Sequence, residues 1–179
     1  MIAHWKPLYK YLRVIEGRSP SDAEQLVRGF LKQSPRVTRA NARSLLEYFV
    51  STEHTRYGRG TPLEVDAAEG EIAREERGEL TAEEYFDREW VKSIFTAAVE
   101  RLRESSHAGD FALFETYDLE DITNTSYRAL GARLSDSSGS RLATIRRHFR
   151  SILLETLREM SDTEEEYRAE ALALLGIEV

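Results

Sequence analysis

The sequence predicts an all-α protein of two small helical domains joined by an acidic linker, the second domain carrying a helix-turn-helix. Three observations lead there. Apolar residues recur at helical spacing, and the prolines stand only at positions 7, 20, 35 and 62. The charges are sorted into blocks of alternating sign. Near the end, two helix-length stretches flank a serine-rich turn, and the second is loaded with arginine. The expected boundaries are 1–57 for the first domain, 58–79 for the linker and 80–179 for the second domain.

The first helix is expected over Leu8 to Val14. A second opens at Ser19-Pro20-Ser21-Asp22, where an N-cap residue, a proline and an acid stand together, and it carries Ala23, Leu26, Val27, Phe30 and Leu31 on one face. A third spans about Ala40 to Ser51 around Leu45, Leu46, Phe49 and Val50. Gly58-Arg59-Gly60-Thr61-Pro62 then breaks helix, and the acidic stretch to Glu79, poor in large apolar residues, reads as the linker. Thr81 to Glu84 is a capping-box pattern that launches a long amphipathic helix through Tyr85, Phe86, Trp90, Ile94, Phe95, Ala98, Val99 and Leu102.

Composition removes several kinds of chemistry. The chain has 179 residues and no cysteine, which rules out disulfides, thiolate-bound zinc and thiol catalysis. Its four histidines, His4, His54, His107 and His148, fall in no metal-ligand spacing. Neither a metal nor a cofactor is expected. No apolar run reaches the roughly 18 residues that would span a bilayer, and Met1 to Lys10 lacks the apolar core of a signal peptide, so the expectation is a cytoplasmic protein without membrane insertion.

The net charge of −7 is an average over opposed blocks. From His4 to Arg59 there are eleven Lys/Arg against five Asp/Glu, a balance of +6; from Glu64 to Glu89 there are three against eleven, or −8. From Ser126 to Arg158 the balance is seven against two, or +5, and from Glu159 to Val179 one against seven, or −6. Basic blocks of this kind are the electrostatic footprint that phosphate contacts require.

The third block contains the arginine-rich pair of stretches. Ser126 to Leu134 forms the first, Ser135 to Ser140 the turn, and Arg141 to Ile152 the second. In a helix-turn-helix the second helix enters the major groove. Tyr127, Leu130, Leu134, Ile145, Phe149 and Ile152 would pack inward. Ser137, Ser138, Ser140, Arg141, Thr144, Arg146, Arg147 and Arg150 are then the candidate contacts to phosphates and base edges. The turn permits two registers, one running gapless from Ser137 and one inserting about four residues so that Ile145 is the first buried position. A plain helical hairpin with a solvated arginine face fits this segment equally well.

Other residues read more simply. Trp5 and Trp90 sit in apolar-periodic segments and suit core packing. Glu83, Glu84, Asp87 and Glu89 suit an acid-rich helix start, and Asp118, Glu120 and Asp121 a loop and cap. Tyr48, His54 and Tyr57 beside Arg56 and Arg59 have the aromatic-plus-basic composition that stacks on unpaired bases.

His4 to Arg13, Ser19 to Val27, Arg43 to Leu46, Thr61 to Asp66 and Leu80 to Trp90 resemble, in order and spacing, segments of bacterial RNA polymerase sigma factors of the extracytoplasmic-function type. The resemblance implies a non-enzymatic subunit that directs core RNA polymerase to promoter DNA. It implies that the helix containing Asp22, Glu24, Gln25 and Arg28 docks on the polymerase clamp. Arg43, Tyr48, His54, Arg56, Tyr57 and Arg59 would meet the minus-ten element, and the arginine-rich helix the minus-thirty-five element. It also implies an inhibitory partner such as an anti-sigma factor.

The chain departs from the family pattern in starting inside the usual first helix and in a shorter, less basic minus-ten segment. That second departure keeps open a sigma-like protein that serves mainly as the target or sensor of a regulatory partner. A plain helix-turn-helix repressor is the other alternative.

Overall fold

The computed structural model describes residues 5–33, 37–52, 63–74, 79–119, 140–176 and 178. These form helices α1 (Trp5–Val14), α2 (Pro20–Gln33), α3 (Arg39–Thr52), α4 (Val65–Arg74), α5 (Ala82–Ser105) and α6 (Ala108–Phe114). A π-helical turn (Glu115–Leu119) follows, then α7 (Arg141–Met160) and α8 (Glu164–Leu175). The protein is all-helical, as the periodicity predicts, with no strand among the described residues. No described helix is long and apolar enough to cross a membrane. The chain divides into two compact units, Met1–Ser93 and Ile94–Val179, and the division falls within α5.

The first unit is assembled around α1. Leu8, Tyr9, Tyr11 and Leu12 are buried with Ala23, Val27, Phe30 and Leu31 of α2 and with Leu46 and Phe49 of α3. Phe30 and Phe49 meet edge to face at 5.6 Å, and Tyr11 meets Phe86 of α5 in the same way at 5.8 Å, the arrangement that ring quadrupoles favour. Helix α2 starts where its cap signal predicts, with the Ser19 hydroxyl accepting the Asp22 N–H at 3.2 Å. The capping box of α5 is complete: Glu84 N–H donates to the Thr81 hydroxyl at 3.2 Å, and the Glu84 carboxylate accepts the Thr81 N–H at 2.9 Å.

The acidic stretch expected to be a linker is, over residues 65–74, helix α4 held against α1. Its only fully buried residue is Ala68, and a set of ion pairs and hydrogen bonds joins it to α1. Arg13 donates to both carboxylate oxygens of Glu69, at 2.6 and 3.0 Å, and the Tyr9 hydroxyl donates to Glu69 at 2.7 Å. Lys6 and Lys10 reach Glu71 at 3.1 and 2.6 Å. Acid content and a lack of large apolar residues made this segment look unanchored. Its anchor is the row of cations that α1 presents at positions 6, 10 and 13, one or two turns apart.

Lys10 is 1 % exposed and is also paired with Glu89 of α5, at 2.7 Å. Burial alone would push the ammonium toward its neutral form, but the hydrogen bonds to Glu71 and Glu89 outweigh it and hold the lysine charged above its ordinary range. Glu71, likewise opposed by burial, is held below the usual carboxylate range by Lys10 and Lys6. Glu89, read from the sequence as part of an acid-rich helix start, is 3 % exposed and accepts from Arg88 at 3.1 Å and Lys92 at 3.4 Å as well.

In the second unit α7 is the central element, contacting α6 and α8. Ile145, Phe149, Ile152, Leu153 and Leu157 are buried on it together with Phe95 and Leu102 of α5 and Phe114 of α6. Phe149 lies 4.7 Å from Phe114 and 6.3 Å from Phe95. Arg101 fixes α5 to the far half of α7 through the Thr156 hydroxyl at 3.1 Å and Glu155 at 3.0 Å. The acidic tail is helix α8, capped by Thr163 and ended by Gly176, whose φ of 67° suits a residue without a side chain.

Candidate nucleic-acid interface

Helix α7 begins at Arg141 because Ser140, in extended conformation, caps it and accepts the Ala143 N–H at 3.2 Å. The first buried residue of α7 is Ala143, followed by Ile145, and residues 135–139 of the turn on which the two registers differ lie outside the described residues. Ser137 and Ser138, and the whole preceding stretch 126–134, lie outside the described residues. Ser140 serves as a cap.

The inward face of α7 follows the helical period, and the outward face carries Arg141, Thr144, Arg147 and Ser151 in one exposed stripe. Arg147 donates to the Thr144 hydroxyl at 3.1 Å, and Arg150 stands half-exposed beside the stripe. Neither has an acidic partner among the described residues. No acid occurs from 141 to 154.

Arg146, named from the sequence as a candidate DNA contact, does not share the exposed stripe. It leans inward and donates through Nε and Nη2 to the two oxygens of Asp118, at 3.0 and 2.9 Å. The Asp118 side chain is fully buried and that of Arg146 is 15 % exposed. Position 146 shares a helix face with Phe149 and Leu153, so its side chain runs along the edge of the core, and the π-helical turn supplies the carboxylate that makes this tolerable. Asp118 is therefore a structural partner, where the sequence suggested a loop residue. Arg141 has an acidic neighbour of another kind: Nε and Nη2 both reach one oxygen of Asp110 in α6, at 2.8 and 2.5 Å, with the arginine side chain 71 % exposed.

In the first unit, the candidate clamp-binding residues divide. Asp22 and Gln25 are exposed, bonded locally to Ser19 at 2.7 Å and Ser21 at 3.2 Å. Glu24 and Arg28 are half-buried and paired at 3.1 Å, and Glu24 also accepts the Leu63 N–H at 3.5 Å. They do not form one exposed polar face, because the chain at Leu63 returns across α2.

Of the minus-ten candidates, Arg43 is turned toward Glu47 at 3.1 Å, and Glu47 in turn accepts the Tyr11 hydroxyl at 2.6 Å. Tyr48 is 68 % exposed on α3, with Leu45 near it at 38 %. His54, Arg56, Tyr57 and Arg59 lie outside the described residues. A cleft of about 280 Å3 opens beside α3, lined by Tyr11, Leu12, Glu16, Arg18, Leu46 and Glu47 among others. Its charged lining is Glu16, Arg18 and Glu47, and no group of residues able to hold a metal ion occurs among the described residues.

The sequence singles out neither Asp110 nor the ion pairs of Lys10, and it offers Asp118 only as a loop residue. A lone lysine between aromatic residues in a buried-looking helix, Tyr9-Lys10-Tyr11, was the one signal available for those ion pairs. The chain matches no protein-family model, and the curated proteins and the solved structures likewise give no match.

Proposed function

We propose that the chain is a non-enzymatic transcription initiation subunit of the extracytoplasmic-function sigma type, acting in the cytoplasm, with α7 as its DNA-reading helix. The observation that supports this best is the stripe of Arg141, Thr144 and Arg147 on a capped helix whose opposite face is buried and whose first fourteen residues, 141 to 154, contain no acid. Phosphate contacts would come from the arginines, and a base edge is within the repertoire of Arg147 with the Thr144 hydroxyl bonded to it. Arg146 is withdrawn from this set. The partners under this reading are promoter DNA, core RNA polymerase approached by Asp22 and Gln25, and an inhibitory protein of the anti-sigma kind.

A second reading, a sigma-like protein that serves as the target of a regulatory partner, draws on the engagement of Glu24, Arg28 and Arg43 within the first unit, which leaves less polar surface for a clamp. Capture of core polymerase by the purified full chain, followed by run-off transcription, separates the two. Binding with promoter-dependent transcripts supports the initiation subunit. Binding without transcripts favours the second reading, and absence of binding overturns the sigma assignment.

A further inference from the structure

We propose that Asp110 sets the DNA affinity of α7 by competing with backbone phosphate for Arg141. This rests on the reading that α7 meets DNA. The arginines of α7 fall into three situations. Arg146 is committed: both oxygens of a fully buried carboxylate are bound to it, and withdrawing it would leave Asp118 buried and unpaired. Arg147 and Arg150 have no acidic partner among the described residues. Arg141 is tethered, two of its three guanidinium nitrogens, Nε and Nη2, donating to the single oxygen Oδ1 of Asp110, at 2.8 and 2.5 Å, with side-chain exposures of 71 % and 32 %.

An exposed ion pair is weakly held and screened by salt, so the tether is one that another anion can replace. Asp110 offers a carboxylate oxygen to the guanidinium much as a phosphate would. Arg141 heads the exposed stripe, one turn before Thr144 and two before Arg147, where a strand backbone lying along that stripe would pass. While the tether holds, the pair brings no net charge to DNA. The stripe then releases about one counterion fewer than its arginine content allows. Asp110 is thus an affinity-setting residue outside the helix that reads. It acts most strongly on sequence-independent binding, which is the part carried by phosphate.

The test measures binding of the full chain to a random-sequence duplex across a salt series, for the wild type, Asp110→Asn, Arg141→Ala and the double variant. Asp110→Asn is expected to bind several-fold more tightly at low salt, with the slope of log affinity against log salt steeper by about one. In the Arg141→Ala background the same substitution should bring no gain. Asp110→Ser repeats the measurement with a different uncharged side chain, and helix content confirms that each variant is folded.

Wild-type affinity and slope in both folded Asp110 variants would overturn the proposal, as would a gain that persists without Arg141, which would be a general charge effect. Failure of the wild type to bind any duplex would instead overturn the DNA-binding reading beneath it.

Discussion

Arg146 and Asp118 form a two-pronged ion pair, 3.0 and 2.9 Å long, with the carboxylate completely removed from solvent. One of the arginines most easily taken for a DNA contact is thereby a packing group. Removing one partner of a buried pair is costly because the other remains as an uncompensated charge. Arg146→Ala should lower stability by about 3 kcal/mol in urea denaturation, and its binding-site preference, selected under conditions where it remains folded, should stay that of the wild type. A changed preference at unchanged stability would return Arg146 to the reading face.

Arg147 and Arg150 should behave differently from each other. Arg147 is exposed in the stripe, and a bidentate contact to guanine is worth about 1–3 kcal/mol of discrimination. Arg147→Ala should therefore relax the selected sequence at one position. Arg150→Ala should weaken all sequences about equally and reduce the salt slope by about one. Binding-site selection with titration at two salt concentrations reads both, and identical behaviour of the two variants would contradict the assignment.

Lys6 and Lys10 both pair with Glu71, but their surroundings differ. The Lys6 side chain is 32 % exposed, and that of Lys10 is 2 % exposed and bonded to Glu89 as well. Lys10→Met is expected to cost about 3 kcal/mol by taking from buried Glu89 the most buried of its three cations, whereas Lys6→Met should cost about 0–1 kcal/mol. Urea midpoints of the two variants compare them directly. Equal losses would mean that the buried pair contributes no more than a surface one.

The attachment of α4 should fail at low pH. Arg13 holds the Glu69 carboxyl below its usual range, and Glu71 is depressed by Lys10 and Lys6 against the opposing effect of burial. A carboxylate depressed in the folded state stabilises fully above its unfolded value, about 4.3 for Glu. That stabilisation disappears as pH falls through the folded value. Amide-exchange protection of residues 65–74 should therefore drop below about pH 4, before that of α7, and Glu69→Gln should lose it at neutral pH.

At the alkaline end, burial and the bond to Glu47 push the Tyr11 hydroxyl up to about 12, and burial with Glu69 raises Tyr9 further. The stabilisation from these neutral phenols is complete below the unfolded value, about 10, and declines as pH rises above it. Thermal melts should therefore show a falling midpoint from about pH 10 upward. Tyr11→Phe, which keeps the ring packed against Phe86, should flatten that decline.

Helices α1, α2, α3, α5 and α7 were legible in the sequence because their causes are local. Ser19 and Thr81 announce caps, and the apolar spacing of Ala23, Val27 and Phe30, or of Ile145, Phe149 and Ile152, names a buried face before any partner is known. Charge segregation was legible for the same reason, and Arg141, Thr144 and Arg147 stood among a wider set of candidate DNA contacts that also held Arg146 and Arg150. Pairing was not, because it depends on side chains brought together from distant positions. Lys10 meets Glu71 and Glu89 only when α1, α4 and α5 are assembled, which turns an apparent linker into a docked helix. Likewise, period alone puts Arg146 at the edge of the core without saying whether it turns out to water or in to a carboxylate. The π-helical turn that delivers Asp118 to α7 decides that, since a buried carboxylate loses its hydration and the Arg146 guanidinium offsets that loss.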